Sequence, residues 1–256
     1  MNKITYGVMK GHLTNSNRRS VKYSRLLGIA VLVLALSGCD QPLLGPNFIR
    51  EPIGNFTCSI PDSAHGIDIS YHNGPIDWLE LKRKEPQIDF VFIRATVGLK
   101  EDVDYEDYLD GARKIGLQTG AYHYYWSNVN STIQFKNFKR SVSMSKHDLY
   151  PVLDVEKPSK YGDENLRKGV LNWLKLAEEE YGVKPILYTN MYFYNEHLRG
   201  YFNEYPKWIA AYSRCPSSID WDVHQYSETG KVKGIDAAVD LNYCSSQFLT
   251  QIKLPR

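Results

Sequence analysis

The chain has 256 residues, of which 31 are Lys or Arg and 29 Asp or Glu, for a formal charge of +2, and 43% are hydrophobic. That composition excludes a disordered or fibrous chain and allows a full hydrophobic core. The charge is unevenly spread: residues 1–38 hold six cations, Lys3, Lys10, Arg18, Arg19, Lys22 and Arg25, and no acid. The remainder is therefore at −4, without the net positive charge that nucleic-acid binding favours.

In chain order, the cationic start leads into the apolar run Leu26 to Leu36 and then Ser37-Gly38-Cys39. Eleven residues are too few to span a bilayer as a helix, which takes roughly 20, but they suit the core of a signal peptide. Leu36-Ser37-Gly38-Cys39 resembles a bacterial lipobox, in which the cysteine is lipidated and becomes the first mature residue; an ordinary cleaved signal or an uncleaved anchor are the alternatives. Asp40 after Cys39 resembles the signal that keeps lipoproteins on the inner membrane, which implies an exported, membrane-anchored protein facing the periplasm. Met9 is an alternative start. Residues 39–61 hold Pro42, Gly45, Pro46, Pro52, Gly54 and Pro61 with little periodicity and read as a tether.

Residues 62–256 then form one domain. Strand-like segments fall at His65 to Ser70, Phe90 to Thr96, Gln118 to Tyr125, Tyr150 to Val155, Pro185 to Thr189, Trp208 to Ala211, Asp222 to Tyr226 and Ala238 to Asn242. Helical periodicity lies between the first five, at Ile76 to Lys84, Tyr105 to Ile115, Ser131 to Met144 and Glu164 to Tyr181, with a short helix at Tyr192 to Leu198 and no long helix after it. This alternation predicts an α/β fold, a modified (β/α) TIM-like barrel with eight strands. The 195 residues are few for a full barrel of roughly 250, so the set of helices is expected to be reduced.

Three strands carry acids on one face. Asp154 and Glu156 alternate with Leu153 and Val155, so both carboxylates point to the same side, roughly 6–7 Å apart along the strand. At that separation one charge opposes ionisation of the other and a pKa rises. A protonated carboxyl beside an ionised one is what glycoside hydrolysis uses. A helix cap, a salt bridge or half a metal site would also account for the pair taken alone. Asp68 with Ser70, and Asp240 with Asn242, repeat the pattern of apolar residues on one face and acids on the other.

Gly66-Ile67-Asp68-Ile69-Ser70, Gly120-Ala121-Tyr122-His123-Tyr124, Leu153-Asp154-Val155-Glu156, Trp208-Ile209-Ala210-Ala211-Tyr212, Gln225-Tyr226-Ser227 and Val239-Asp240-Leu241-Asn242 follow one another in the order seen in glycoside hydrolase family 25. The chain resembles these Chalaropsis-type lysozymes, which are N-acetylmuramidases, over about residues 62–252. The resemblance implies a trimmed barrel and a peptidoglycan substrate. It makes Glu156 the acid that protonates the glycosidic oxygen and later the base for water. Asp154 is implied to stay ionised, stabilising positive charge or orienting the 2-acetamido group, with direct attack by an aspartate as the rival account. Asp68 joins them as a catalytic candidate and Asp240 as a substrate-binding one.

Nineteen tyrosines are many for this length, and Tyr122, Tyr124, Tyr188, Trp208 and Tyr212 lie on or beside strand ends, where rings can stack on sugars. With Gln225 they complete the expected substrate-binding set, although barrels also bury aromatics for packing. Alternation turns His123 and His224 outward, away from the acids. The chain departs from the family at Tyr71-His72-Asn73-Gly74, where members usually have an aromatic followed by Gln-Gly, and at Ala95-Thr96-Val97-Gly98, where Val97 replaces a usual Glu.

With Cys39 given to lipid, Cys58, Cys215 and Cys244 allow one disulfide, and Cys215 with Cys244 is the expected pair because both follow late strands. No metal or cofactor is expected, since there is no Cys-x-x-Cys, His-x-x-x-His or Gly-rich phosphate loop. A monomer is expected. Two further readings remain: a family 18-like chitinase, which wants another acid where this chain has Val152, and a peptidoglycan-binding lipoprotein without catalysis.

Overall fold

The computed structural model describes residues 58, 60, 62–145, 148–212 and 214–255. The expected leader, Cys39 and nearly all of the expected tether lie outside the described residues. Nine strands form one sheet: β1 Ser63–Ile69, β2 Ile88–Val97, β3 Lys100–Glu101, β4 Gln118–Tyr124, β5 Val152–Asp154, β6 Ile186–Asn190, β7 Lys207–Ala210, β8 Val223–Gly230 and β9 Val239–Ser245. β1 pairs with both β2 and β9, so the sheet closes on itself through eight strands, and the two-residue β3 hangs on β2 as a hairpin. Neighbours from β1 through β8 run parallel, as chains with helical crossovers must. β9 is the exception, antiparallel to β8 and β1. It follows β8 by a short connection, and only an antiparallel return closes over that span.

Between the strands lie α1 Trp78–Lys84, α2 Tyr105–Lys114, α3 Ser131–Ser141, α4 Asp163–Tyr181 and the short α5 Met191–Phe193, which continues as one π-helical turn over Tyr194–Leu198. Local chemistry sets their ends. Asp77 and Asn130 cap α1 and α3 by accepting from the N–H groups of Glu80 and Ile133, satisfying donors that a helix start leaves open. Gly182, at φ 69°, ends α4 in the left-handed conformation that glycine adopts without penalty. A last helix, α6 Ser246–Gln251, was not expected from the sequence.

Alternation divides the apolar residues into two layers. Outward residues such as Ile67, Val91, Ile93, Leu153, Leu187 and Ile209 pack with Trp173, Leu174 and Phe138 of the helices. Inward residues Phe90, Phe92, Val152, Ile186, Val223 and Cys244 fill the barrel, where Leu249 of α6 and Ile252 join them, so the C-terminal segment packs on the barrel interior. Space inside is made by glycines paired with phenylalanines. A Cβ on Gly66 would lie 2.3 Å from the Phe90 ring and one on Gly120 2.4 Å from Phe92. Overpacking of that kind costs about 1–3 kcal/mol.

His123 and His224 lie on the outward side. His123 bridges Thr96 and Gln134 and stacks 5.7 Å from Trp173, and burial pushes its pKa down to about 4. His224 bonds the Ala211 carbonyl and the Tyr243 hydroxyl. Both are packing residues.

The expected disulfide is corrected: Cys58 joins Cys215, and Cys244 is a buried free thiol. Cys244 lies two residues beyond inward-facing Asn242, so alternation aims it into the barrel, where the Cys215 loop does not reach. The observed bridge closes a separation of 157 residues. Replacing Cys58 and Cys215 with Ser is expected to cost about 2–5 kcal/mol in denaturant unfolding, through loop entropy regained by the unfolded chain. Equal stability of the variant would contradict this.

Candidate active site

At one end of the barrel, Asp68, Ser70, His72, Arg94, Tyr122, Tyr124, Asp154, Glu156, Tyr188, Trp208 and Asp240 line a cavity of about 200 Å³. The four expected acids thus meet in one place. Asp68 and Asp154 come from the C-terminal ends of β1 and β5, and Glu156 from just beyond β5. Asp240 arrives differently. Because β9 runs antiparallel, its N-terminal end lies at this face, and Asp240 sits directly opposite Asp68 in the β1–β9 ladder. A larger groove of about 510 Å³ involves the N-terminal ends of β7 and β8, where Glu204, Asp220 and Asp222 stand among the cations Arg199 and Lys207. Among the described residues no group of His, Cys, Asp and Glu is arranged to hold a metal ion.

A second set of side chains fixes Asp68. Its Oδ2 accepts from Gln225 Nε2 and Asn242 Nδ2, each at 2.8 Å. Asn242 Oδ1 accepts from the Trp208 indole at 2.8 Å, and Gln225 Oε1 accepts from the hydroxyls of Tyr188 at 2.9 Å and Tyr212 at 3.0 Å. These bonds settle which way both amides face. Of the expected substrate-binding residues, two lie behind the cavity wall and the others line it. Gln225 and Tyr212 do not line the cavity but hold Asp68 from behind, and Trp208, only 2% exposed, lines it while packing against Phe92 and Tyr188. Tyr122 and Tyr124 are half-buried and line the cavity directly, as does the buried Tyr188.

The carboxyls all resist ionisation. Burial raises Asp68 to about 6 despite its amide donors, and burial together with the Asp68 charge raises Asp240 to about 9. Those two act as a pair that shares a proton, the Asp240 carboxyl donating to Asp68. Glu156 is raised by burial, opposed by Lys157 and by the hydroxyls of Tyr124 and Tyr188 against it. Burial, then the charges of Glu156 and Asp68, push Asp154 well above the carboxylate range, with Arg94 opposing. Its 6% exposure and the unpartnered Oδ1 are the physical reason.

Arg94, His72, Ser70 and the supporting Asn242 and Asp102 are absent from the expected functional set. Arg94 was obscured because it lies within the apolar strand Phe90 to Thr96 and its partner Asp102 is in a turn; only a charge inside an apolar run hinted at it.

A closed barrel that gathers protonatable carboxyls among phenols at one end defines a glycoside hydrolase working by acid and base catalysis. A model of the family described as Glycosyl hydrolases family 25 matches residues 67–235. The chain belongs to this family. It is 40% identical over 201 residues to the uncharacterized protein YegX of Escherichia coli K12, covering 75% of this chain and 74% of that protein. It is 30% identical over 201 residues to Lysozyme M1 of Streptomyces globisporus, covering 70% and 67% of the two chains. Among solved structures, a bacterial lysozyme from Streptomyces coelicolor superimposes with a TM-score of 0.66 at 27% identity, over 74% of this chain and 96% of that one.

Proposed function

We propose that the chain is a muramidase that cleaves the β-1,4 bond between N-acetylmuramic acid and N-acetylglucosamine in peptidoglycan. The observation that carries this is the convergence of Asp68, Asp154, Glu156 and Asp240 in one cavity of a family 25 barrel. Glu156 serves as the acid. Burial raises its pKa in the direction an acid needs, and the Tyr124 hydroxyl lies against it. Once the glycosidic oxygen has left, the same carboxylate takes a proton from water.

Asp154, as a carboxylate, stabilises the positive charge that develops on the sugar or holds the acetamido group. Asp68, pinned by Gln225 and Asn242, and Asp240 shape the floor and share the proton between them. The chitinase reading is not favoured, since Val152, where a further acid would stand, is wholly buried within the barrel. Incubation with purified peptidoglycan and mass spectrometry of the fragments tests the proposal. New reducing ends at N-acetylmuramic acid are expected; fragments ending in N-acetylglucosamine, or none, would refute it.

Residues 1–38 act as a lipoprotein leader, 39–61 as a tether and 62–256 as the catalytic domain, a monomer held at the inner membrane through Cys39 and facing the periplasm. The lipobox-like Leu36 to Cys39 and the adjacent Asp40 support this reading. Cys39→Ala is expected to leave hydrolysis unchanged and move the protein from the membrane fraction to the soluble one. An unchanged distribution on fractionation would remove the anchor.

A further inference from the structure

Arg94 enters the cavity from β2, in register with Tyr122. One side of its guanidinium is fully engaged. Nε donates to Asp102 Oδ2 at 2.8 Å, and the guanidinium carbon lies 5.0 Å from the centre of the Tyr71 ring. Asp102 is itself fixed by the backbone N–H groups of Tyr71 and Asp104, and its side chain is wholly buried. The arginine is thus anchored from behind rather than adaptable. Its other side has no partner. Nη2 is buried and finds no acceptor among the described residues, in a residue only 8% exposed.

An unanswered charged donor in such a place is costly unless something arrives to accept from it. Asp154 Oδ1, which lines the same cavity, is buried and equally without a partner. The residues lining the cavity thus include one donor and one acceptor that lack partners, the two functions that a secondary amide answers.

We propose that Arg94 is a specificity-determining residue that donates from Nη2 to the carbonyl oxygen of an amide carried by the bound glycan. The inference rests on the muramidase reading. Peptidoglycan offers such an amide in two places, the 2-acetamido group of either sugar and the amide that joins the lactyl group of muramic acid to its peptide. The chemistry at Arg94 is the same for both.

Calorimetric binding in a Glu156→Gln background, where turnover is blocked, separates the cases. The probes are a muramyl glycan fragment bearing its peptide and a chito-oligosaccharide, which has acetamido groups and no lactyl. Adding Arg94→Met is expected to weaken the muramyl fragment by about ten- to a hundredfold, the worth of a hydrogen bond to a charged group. Arg94→Lys keeps a cation for Asp102, but its single ammonium nitrogen cannot occupy the Nε and Nη2 positions at once, so it is expected to lose the same contact and carries the comparison if Arg94→Met melts early.

A parallel loss on the chito-oligosaccharide makes the acetamido group the partner; a loss confined to the muramyl fragment makes it the lactyl amide. If the parent binds and both Arg94 variants bind every probe equally well, the arginine is only a partner for Asp102 and the proposal fails. A parent that binds no muramyl fragment would overturn the muramidase reading, and this inference with it.

Discussion

Glu156→Gln is expected to reduce hydrolysis of peptidoglycan by about 10²–10⁴-fold, the usual contribution of a positioned general acid, while unfolding at the wild-type temperature. The substitution is nearly isosteric. Glutamine still accepts a hydrogen bond from a neighbouring tyrosine hydroxyl, and it removes a group that burial already disfavours in its charged form. What it removes is the proton that the leaving sugar oxygen needs. Release of soluble muropeptides and a thermal melt give the two readings. A variant that hydrolyses at the wild-type rate would take Glu156 out of the acid role, and one that is inactive but unfolded would say nothing of the chemistry, so the melt is part of the result.

Asp154→Asn is expected to lower turnover by about 10²–10³-fold, the loss typical when a group aimed at developing charge is neutralised, and yet to make the fold more stable. The sign follows from proton linkage. The folded-state pKa of Asp154 lies well above its unfolded value because the carboxyl is buried beside Glu156 and Asp68. The native state therefore holds more protons than the unfolded state above about pH 4. Stability from such a group is fully present below that pH and is lost as pH rises through the folded pKa. Asp68, at about 6, and Asp240, at about 9, extend the decline across pH 4 to 9.

Asparagine is neutral throughout, so the variant is expected to exceed wild type by about 1–2 kcal/mol at pH 8 and to match it near pH 4. Melting curves at the two pH values check this. A stability difference that does not change with pH would mean that Asp154 is ionised without penalty.

Much of this site was legible because strand alternation is a strict rule. Two carboxylates two residues apart at the end of β5 had to share a face, and the apolar Leu153 and Val155 had to pack outward. The paired glycines and phenylalanines of β1, β2 and β4 were visible as residues, but not as partners, since that depends on register between strands.

Register also explains the misses. β2 pairs irregularly with β4 between Arg94 and Thr96, so Thr96, which alternation places beside Arg94, turns outward to His123. The direction of β9 could not be read from its residues, because Asp240 and Asn242 share a face whichever way the strand runs. Trp208, Tyr212 and Gln225 lie near the acids, and only the structure shows their links to Asp68, direct for Gln225 and through an amide for the other two. Chain order places Cys215 nearest to Cys244, but Cys244 follows the inward face of its strand and Cys215 pairs with Cys58. α6 is six residues long, too short to show a helical period.

Every catalytic role assigned above requires a carboxyl in this cavity to keep its proton at neutral pH. The most direct measurement is a titration of the Asp and Glu side-chain carboxyl carbons by NMR in the uncomplexed protein, with Asn or Gln variants to assign the four resonances. At least one of Asp68, Asp154, Glu156 and Asp240 is expected to remain protonated at pH 7, with Asp240 titrating near 9. If all four ionise below pH 5, burial does not hold the proton, and the account of the acid is contradicted.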